Sequence, residues 1–127
     1  MKKIIKTHLD LDVWKQSIIL VTEIYEITKG FPKDELFELT SQIRRSAVSV
    51  PSNISEGSAR NQSKEFIRFL QISQGSLSEL ETQLIISREL GYFSPEKFTE
   101  VNGTLHKIRA QVHGLIQFLR NRLRKNI

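Results

Sequence analysis

Apolar residues recur along this chain at alternating steps of three and four, the spacing of one face of an α-helix. Leu11, Trp14, Ile18, Val21 and Tyr25 form one such stripe, and Val13, Leu20, Ile24 and Ile27 form a second beside it. Together they predict a first helix over about 11–29 with a broad apolar face. Gly30 stops it as the residue after the cap, and Phe31-Pro32 forbids its continuation. Leu36, Leu39, Ile43, Ala47, Val50 and Ile54 predict a second helix over about 33–59, with Asp34 and Glu35 in its first turn at the positive end of the helix dipole. The polar break "SARNQSKEF" follows, where Asn61 or Ser63 can cap a third helix with Glu65 in its first turn. That helix, about 63–90, carries Phe66, Leu70, Ser73, Leu77, Leu80 and Leu84 on its inner face, and Gly91 ends it. In "YFSPEKF", Ser94 is an N-cap and Pro95 the first helical residue. A fourth helix, about 95–123, then repeats Phe98, Val101, Leu105, Ile108, Val112, Leu115 and Leu119, and is expected to fray in "NRLRKNI".

Four amphipathic helices with short joints predict an all-α fold. The expected architecture is an antiparallel up-down-up-down four-helix bundle, a single domain over 1–127 with basic, flexible ends. The stretch "SAVSVPSNISEG" complicates the second helix, because a helix interior rejects proline by about 3 kcal/mol. Yet the stripe Ile43, Ala47, Val50, Ile54 keeps its phase across Pro51. We therefore expect a helix kinked or loosened at Pro51, with Ser49, Ser52 or water satisfying the carbonyl of Ala47. The small residues around the proline should admit a close neighbouring helix. Gly75, beside Ser73 and Ser76, is expected to do the same on the third helix. Phe69, Ile72, Ile85, Ile86, Ile116 and Phe118 lie off the main stripes, an apolar excess that self-association would hide.

Charge adds a second layer. The 127 residues carry a net charge of +5. All 14 acidic residues fall between Asp10 and Glu100, so the middle is net acidic. The ends are purely basic: Lys2, Lys3 and Lys6 in front, then Lys107, Arg109, Arg120, Arg122, Arg124 and Lys125 behind. Such asymmetry points to a polyanionic partner, nucleic acid first among them. With no cysteine there is neither a disulfide frame nor a thiolate zinc site. "SIILV" is too short for a signal sequence or a membrane span, so a cytoplasmic protein without membrane contact is expected.

Motifs for chemistry are largely missing. A di-iron site needs Glu-x-x-His pairs, but Ile5, Gly103 and Ala110 precede His8, His106 and His113 by three. His106 and His113 stand about 10 Å apart on one helix face, too far to share a metal. Helical ribonuclease domains of the HEPN type place four to six residues between an arginine and a histidine, whereas only three separate Arg109 from His113. Ala110 also replaces the polar residue. No serine-histidine-acid order, nucleophile elbow or glycine-rich phosphate loop is present. No enzyme activity and no cofactor are expected.

The run from Gln42 to Glu81 carries a resemblance. Arg44-Arg45, Ser49-Val50-Pro51-Ser52-Asn53-Ile54, Glu56-Gly57 and Arg60 come first, then Glu65, Phe69, Gly75-Ser76 and Glu79-Leu80. This order, with the opening "LDVWKQS", resembles the four-helix bundle proteins encoded in intervening sequences of bacterial large-subunit ribosomal RNA genes. The resemblance implies a bundle that assembles into pentameric rings. It also implies kinship with accessory variability proteins of diversity-generating retroelements, which are basic, bind nucleic acid and dock onto a reverse transcriptase.

The residues and the resemblance together lead to an expected non-catalytic, oligomeric nucleic-acid-binding or adaptor protein, for RNA or DNA. One set of candidate contacts is Arg44, Arg45, Arg60, Lys64 and Arg68 around the joint of the second and third helices. The other is Arg120, Arg122, Arg124 and Lys125. A structural alternative pairs Arg44, Arg45 and Arg60 with Glu56, Glu65, Glu79 or Glu81. No base-reading motif or aromatic platform is visible in the sequence. The alternatives are a protein-interaction module that binds no nucleic acid and, further off, a helical-bundle ribonuclease using His113.

Overall fold

Local chemistry accounts for most of the helix boundaries. The computed structural model describes residues 11–125, so Lys2, Lys3, Lys6 and His8 lie outside the described residues. Four helices make up the described chain: α1 (Asp12–Thr28), α2 (Leu39–Ser58), α3 (Ser63–Glu89) and α4 (Pro95–Lys125). No strand occurs among the described residues. α4 starts as expected, with the Lys97 N–H donating to Ser94 Oγ at 3.1 Å and Pro95 as first residue. α3 ends in a Schellman motif: Gly91 takes φ 76°, its N–H donates to the Arg88 carbonyl, and the Tyr92 N–H donates to that of Ser87. α1 closes on its own side chain, Thr28 Oγ1 donating to the Ile24 carbonyl at 2.8 Å.

Two starts differ from the sequence reading. Lys33–Glu35 forms a short 3-10 turn, and α2 begins only at Leu39. Phe31 is buried against the rings of Tyr92 and Phe93, and Tyr92 Oη donates to Glu35 Oε2 at 2.6 Å. These contacts hold the α1–α2 connection across the joint of α3 and α4. Leu36 is left 46% exposed, although it fits the phase of the α2 stripe. At the start of α3 neither Asn61 nor Ser63 caps. Gln62 occupies the cap position without a side-chain bond, and Asn61 turns the chain with φ 57°.

The core is aliphatic. Leu20, Ile24, Ile43, Val50, Ile54, Leu70, Leu77, Leu80, Leu84, Val101, Leu105 and Ile108 are fully buried. Burial of each such side chain contributes roughly 1.5–3 kcal/mol before conformational entropy is set against it. In α1 the second stripe is the inner one, while Ile18 and Tyr25 of the first are exposed. Phe69 and Ile116, read as surplus, are buried within the chain; Ile72, Ile85, Ile86 and Phe118 are exposed.

Each helix packs on two others: α1 on α2 and α4, and α3 on α2 and α4. Side chains across the α2–α3 seam pair in opposite numerical order. Ser46 Oγ donates to Gln83 Oε1 at 2.7 Å, Ser49 and Ser76 hydroxyls meet at 2.8 Å, and Ser73 Oγ donates to the Val50 carbonyl at 3.0 Å. Hydroxyl pairs and a glycine replace bulk here. A Cβ on Gly57 would lie 2.8 Å from Phe69 Cβ and 2.9 Å from Phe66 Cδ1, so α2 and α3 come this close only because Gly57 has none. Gly75 has no such role, since a Cβ there would meet open space.

Helix α2 runs unbroken through the buried Pro51, which excludes a loop at that point. Ser49 does not turn to the carbonyl freed by the proline. Its hydroxyl is engaged by Ser76 and by the Asn53 side chain. None of the described helices is long and apolar enough to cross a membrane.

Candidate nucleic-acid interface

The five residues assigned to the α2–α3 joint fall into two groups. Arg44 and Arg45 sit in the first half of α2, roughly 20 Å along the helix from Arg60. Arg44 is half-buried: its Nε donates to Thr28 Oγ1 at 2.9 Å, and its guanidinium lies 4.7 Å from the centre of the Tyr25 ring. That cation thereby ties α1 to α2. Arg45 beside it is exposed. Both line an open groove of about 620 Å³ with Tyr25, Leu36, Phe37 and Val48, and Phe37 is 89% exposed.

Arg60, Lys64 and Arg68 do gather at the joint. Arg60 Nη2 binds Glu56 Oε1 at 2.6 Å, and Arg68 Nε binds Glu65 Oε2 at 2.8 Å. Both guanidinium groups also rest on Phe69, 5.3 and 4.5 Å from the ring centre, so one ring carries two cations. The bond from Arg68 holds the Glu65 carboxyl below its usual range, with Arg60 and Lys64 adding to the effect. Lys64 is exposed.

The last two turns of α4 come to the same end of the bundle. A hollow there is lined by Leu11, by Gly57, Ser58, Asn61, Gln62, Ser63 and Phe66 around the joint, and by Leu115, Phe118, Leu119 and Arg122 of α4. α4 stays helical to Lys125, beyond the fraying expected from the sequence. Arg122, Arg124 and Lys125 in its last turn suit the negative end of the helix dipole. Arg120 is half-buried, and Arg122, Arg124 and Lys125 are exposed. None of these four makes an ion pair among the described residues. Arg60, Lys64 and Arg68 of the first set thus share one end of the bundle with the second set, and Arg44 and Arg45 do not.

Acids collect at the other end. Asp34, Glu35 and Glu38 follow α1, and Glu89, Glu96 and Glu100 flank the α3–α4 joint, the two joints being linked by the Tyr92–Glu35 bond. That bond raises the Tyr92 hydroxyl above its ordinary pKa. Lys29, Lys33, Arg88 and Lys97 share that end, three of them paired with Glu26, Glu89 and Glu100, so charge is mixed there with acids in excess, while cations are in excess at the other end.

A third polar cluster joins α3 to α4. His106 Nε2 meets Glu81 Oε2 at 2.6 Å, Arg109 Nη2 donates to Glu81 Oε1 at 3.1 Å, and Arg109 Nη1 lies 3.4 Å from His106 Nδ1. Burial pushes the Glu81 carboxyl up, but the bonds from Arg109 and His106 outweigh it and hold the group below its usual range. Both imidazole nitrogens are occupied, and Arg109 turns to Glu81 rather than to His113. The arginine–histidine pair weighed for a ribonuclease does not form. Among the described residues no cluster of three His, Asp or Glu side chains is placed to hold a metal.

Two exposed rings stand outside the candidate contacts that the sequence offers. Phe118 is a 55% exposed ring inside the basic end, with the Arg122 guanidinium 5.9 Å from its centre. Phe37, 89% exposed, is the second. The signal for Phe118 was its place off the α4 stripe, three residues before an arginine-rich segment.

Comparison with known proteins bears on the whole bundle. Residues 9–114 match the family model described as 23S rRNA-intervening sequence protein. The chain is also similar to the crystal structure of a protein with unknown function from the S23 ribosomal protein family of Bacteroides thetaiotaomicron VPI-5482. The two share 24% identity over 83% of this chain and 95% of that one, with a TM-score of 0.77. At that identity the likeness is one of fold. No curated protein matches the chain.

Proposed function

The chain belongs to the 23S rRNA-intervening sequence protein family, and from that premise we propose that it is a non-catalytic, oligomeric adaptor that holds nucleic acid at its basic end. The observation that carries this is that Arg60, Lys64 and Arg68 follow the α2–α3 joint at the end of the bundle where α4 finishes with Arg120, Arg122, Arg124 and Lys125, Arg122 lining the hollow between joint and helix. Five of these cations, Lys64, Arg120, Arg122, Arg124 and Lys125, make no ion pair among the described residues. Phosphate oxygens would supply the partner charge, releasing counterions from the polymer. Self-association fits the exposed Ile18 and Tyr25 of α1, Leu36 and Phe37 of the connection, Val48 of α2, and Ile72 and Ile86 of α3. Several basic ends on one assembly would multiply a modest single-site affinity.

The test is fluorescence anisotropy of labelled RNA and DNA over a salt series. Duplex affinity should fall by about 0.9 log units per log unit of salt for each phosphate contacted. Reversing Arg120, Arg122, Arg124 and Lys125 to glutamate should abolish retention. Binding indifferent to salt, or unchanged by the reversal, sinks the reading. The groove over Arg44 favours a second one, a docking face for a protein partner such as a reverse transcriptase, because Phe37 and Leu36 are exposed beside two cations. Under it the reversed variant still captures the partner.

A further inference from the structure

We propose that the hollow at the basic end takes one unstacked base of a single-stranded nucleic acid, with Phe118 as its stacking face. This rests on the nucleic-acid reading above and goes beyond it, since the candidate residues so far address phosphates only.

Size, lining and charge each contribute. At about 230 Å³ the hollow is smaller than the roughly 300–1,000 Å³ of sites that enclose drug-sized molecules. A single planar ring system suits it, and a stacked pair does not. It is also more enclosed than the groove over Arg44. Its floor is apolar, from Leu11, Phe66, Leu115 and Leu119, which suits a base face stripped of water. Phe118 exposes more than half of its surface at the mouth, and the Arg122 guanidinium lies close to the same ring. An aromatic ring beside an arginine plane is the usual receiver of a splayed base. Asn61 and Gln62 are also among its lining residues, and an amide side chain can both donate to and accept from a base edge.

The surroundings supply the polymer's charge. Arg122 lines the hollow, and α3 starts beside it with no side chain capping its first N–H groups. A phosphate next to the seated base would meet both. In a duplex the bases stay stacked and paired, so a duplex offers this site only its phosphates. The preference expected is therefore for single strands over duplex, and for bases over a bare phosphate chain.

Three probes on the full chain decide it by anisotropy: a single-stranded oligouridylate, an abasic oligomer with as many phosphates, and a blunt RNA duplex. The oligouridylate should bind about ten-fold tighter than the abasic oligomer, the size of effect that base–aromatic stacking gives on alanine substitution. Phe118→Ala should erase that gap and leave abasic and duplex affinities and the salt slope unchanged. Phe118→Trp should keep it. Equal wild-type affinity for oligouridylate and abasic oligomer overturns the base site while leaving the polyanion reading intact. So does a Phe118→Ala loss shared by all three probes, or full displacement of oligouridylate by polyglutamate at equal charge. No binding of any probe overturns both.

Discussion

At Gly57 a single missing carbon sets the distance between two helices. An alanine there would push into Phe66 and Phe69, neither of which can yield without moving α3. Gly57→Ala should destabilise the bundle by about 1–3 kcal/mol, read from the denaturation midpoint. Gly75→Ala should do the reverse, adding up to about 1 kcal/mol, because it restores helix propensity where nothing obstructs. The sequence shows both glycines beside serines and cannot tell them apart. What separates them is the direction of the neighbouring helix, a tertiary fact. Glu81 makes a similar point for charge. Its folded pKa lies below the ordinary 4.5, so its pairing stabilises the fold above that value and is lost as pH falls through the folded pKa. Unfolding titrations of wild type and Glu81→Gln should differ by on the order of 1 kcal/mol at neutral pH. That difference should close only on acidification below about pH 4.5.

Elements were legible where their signals are local. Ser94-Pro95 needs nothing from the rest of the chain, and Ser94→Ala should cost about 1 kcal/mol in a thermal or urea melt. The Gly91 stop is equally self-contained. The start of α2 was not legible, since Leu36 falls in phase with the stripe while the chain there is held by Phe31, Tyr92 and Glu35 from elsewhere in the fold. Tyr92→Phe should loosen that connection by about 0.5–1.5 kcal/mol, with amide exchange faster in residues 33–38 and unaltered in the α3 core. In α1 two stripes competed, and only the positions of α2 and α4 decide which one turns inward. The bulk of α3 and α4 followed from periodicity alone, because a long three-four rhythm fixes the buried face.

For the whole molecule, the sequence showed basic ends and an acidic middle but not their arrangement in space. Folding back at residues 59–62 brings Arg60 and Arg68 beside the end of α4 and leaves Arg44 and Arg45 far up α2. The candidate site was thus half visible: the residue types were, their partition into a basic end and a separate groove was not. Phe37→Glu should lower the solution mass, with helical content by circular dichroism unchanged, if the α1–α2 face joins protomers. The same substitution should leave binding at the basic end of each protomer in place.

The separation of charge along the axis has a directional consequence. α4 alone is about 46 Å long, and opposite signs at the two extremities of such a rod make it turn in an external field. On the proposed reading the chain would meet a polyanion end-on, leading with Arg122 and trailing its carboxylates. The trailing end, with acids in excess, would offer a second strand no attraction. A single chain would then hold one strand, and bringing two strands together would take two copies.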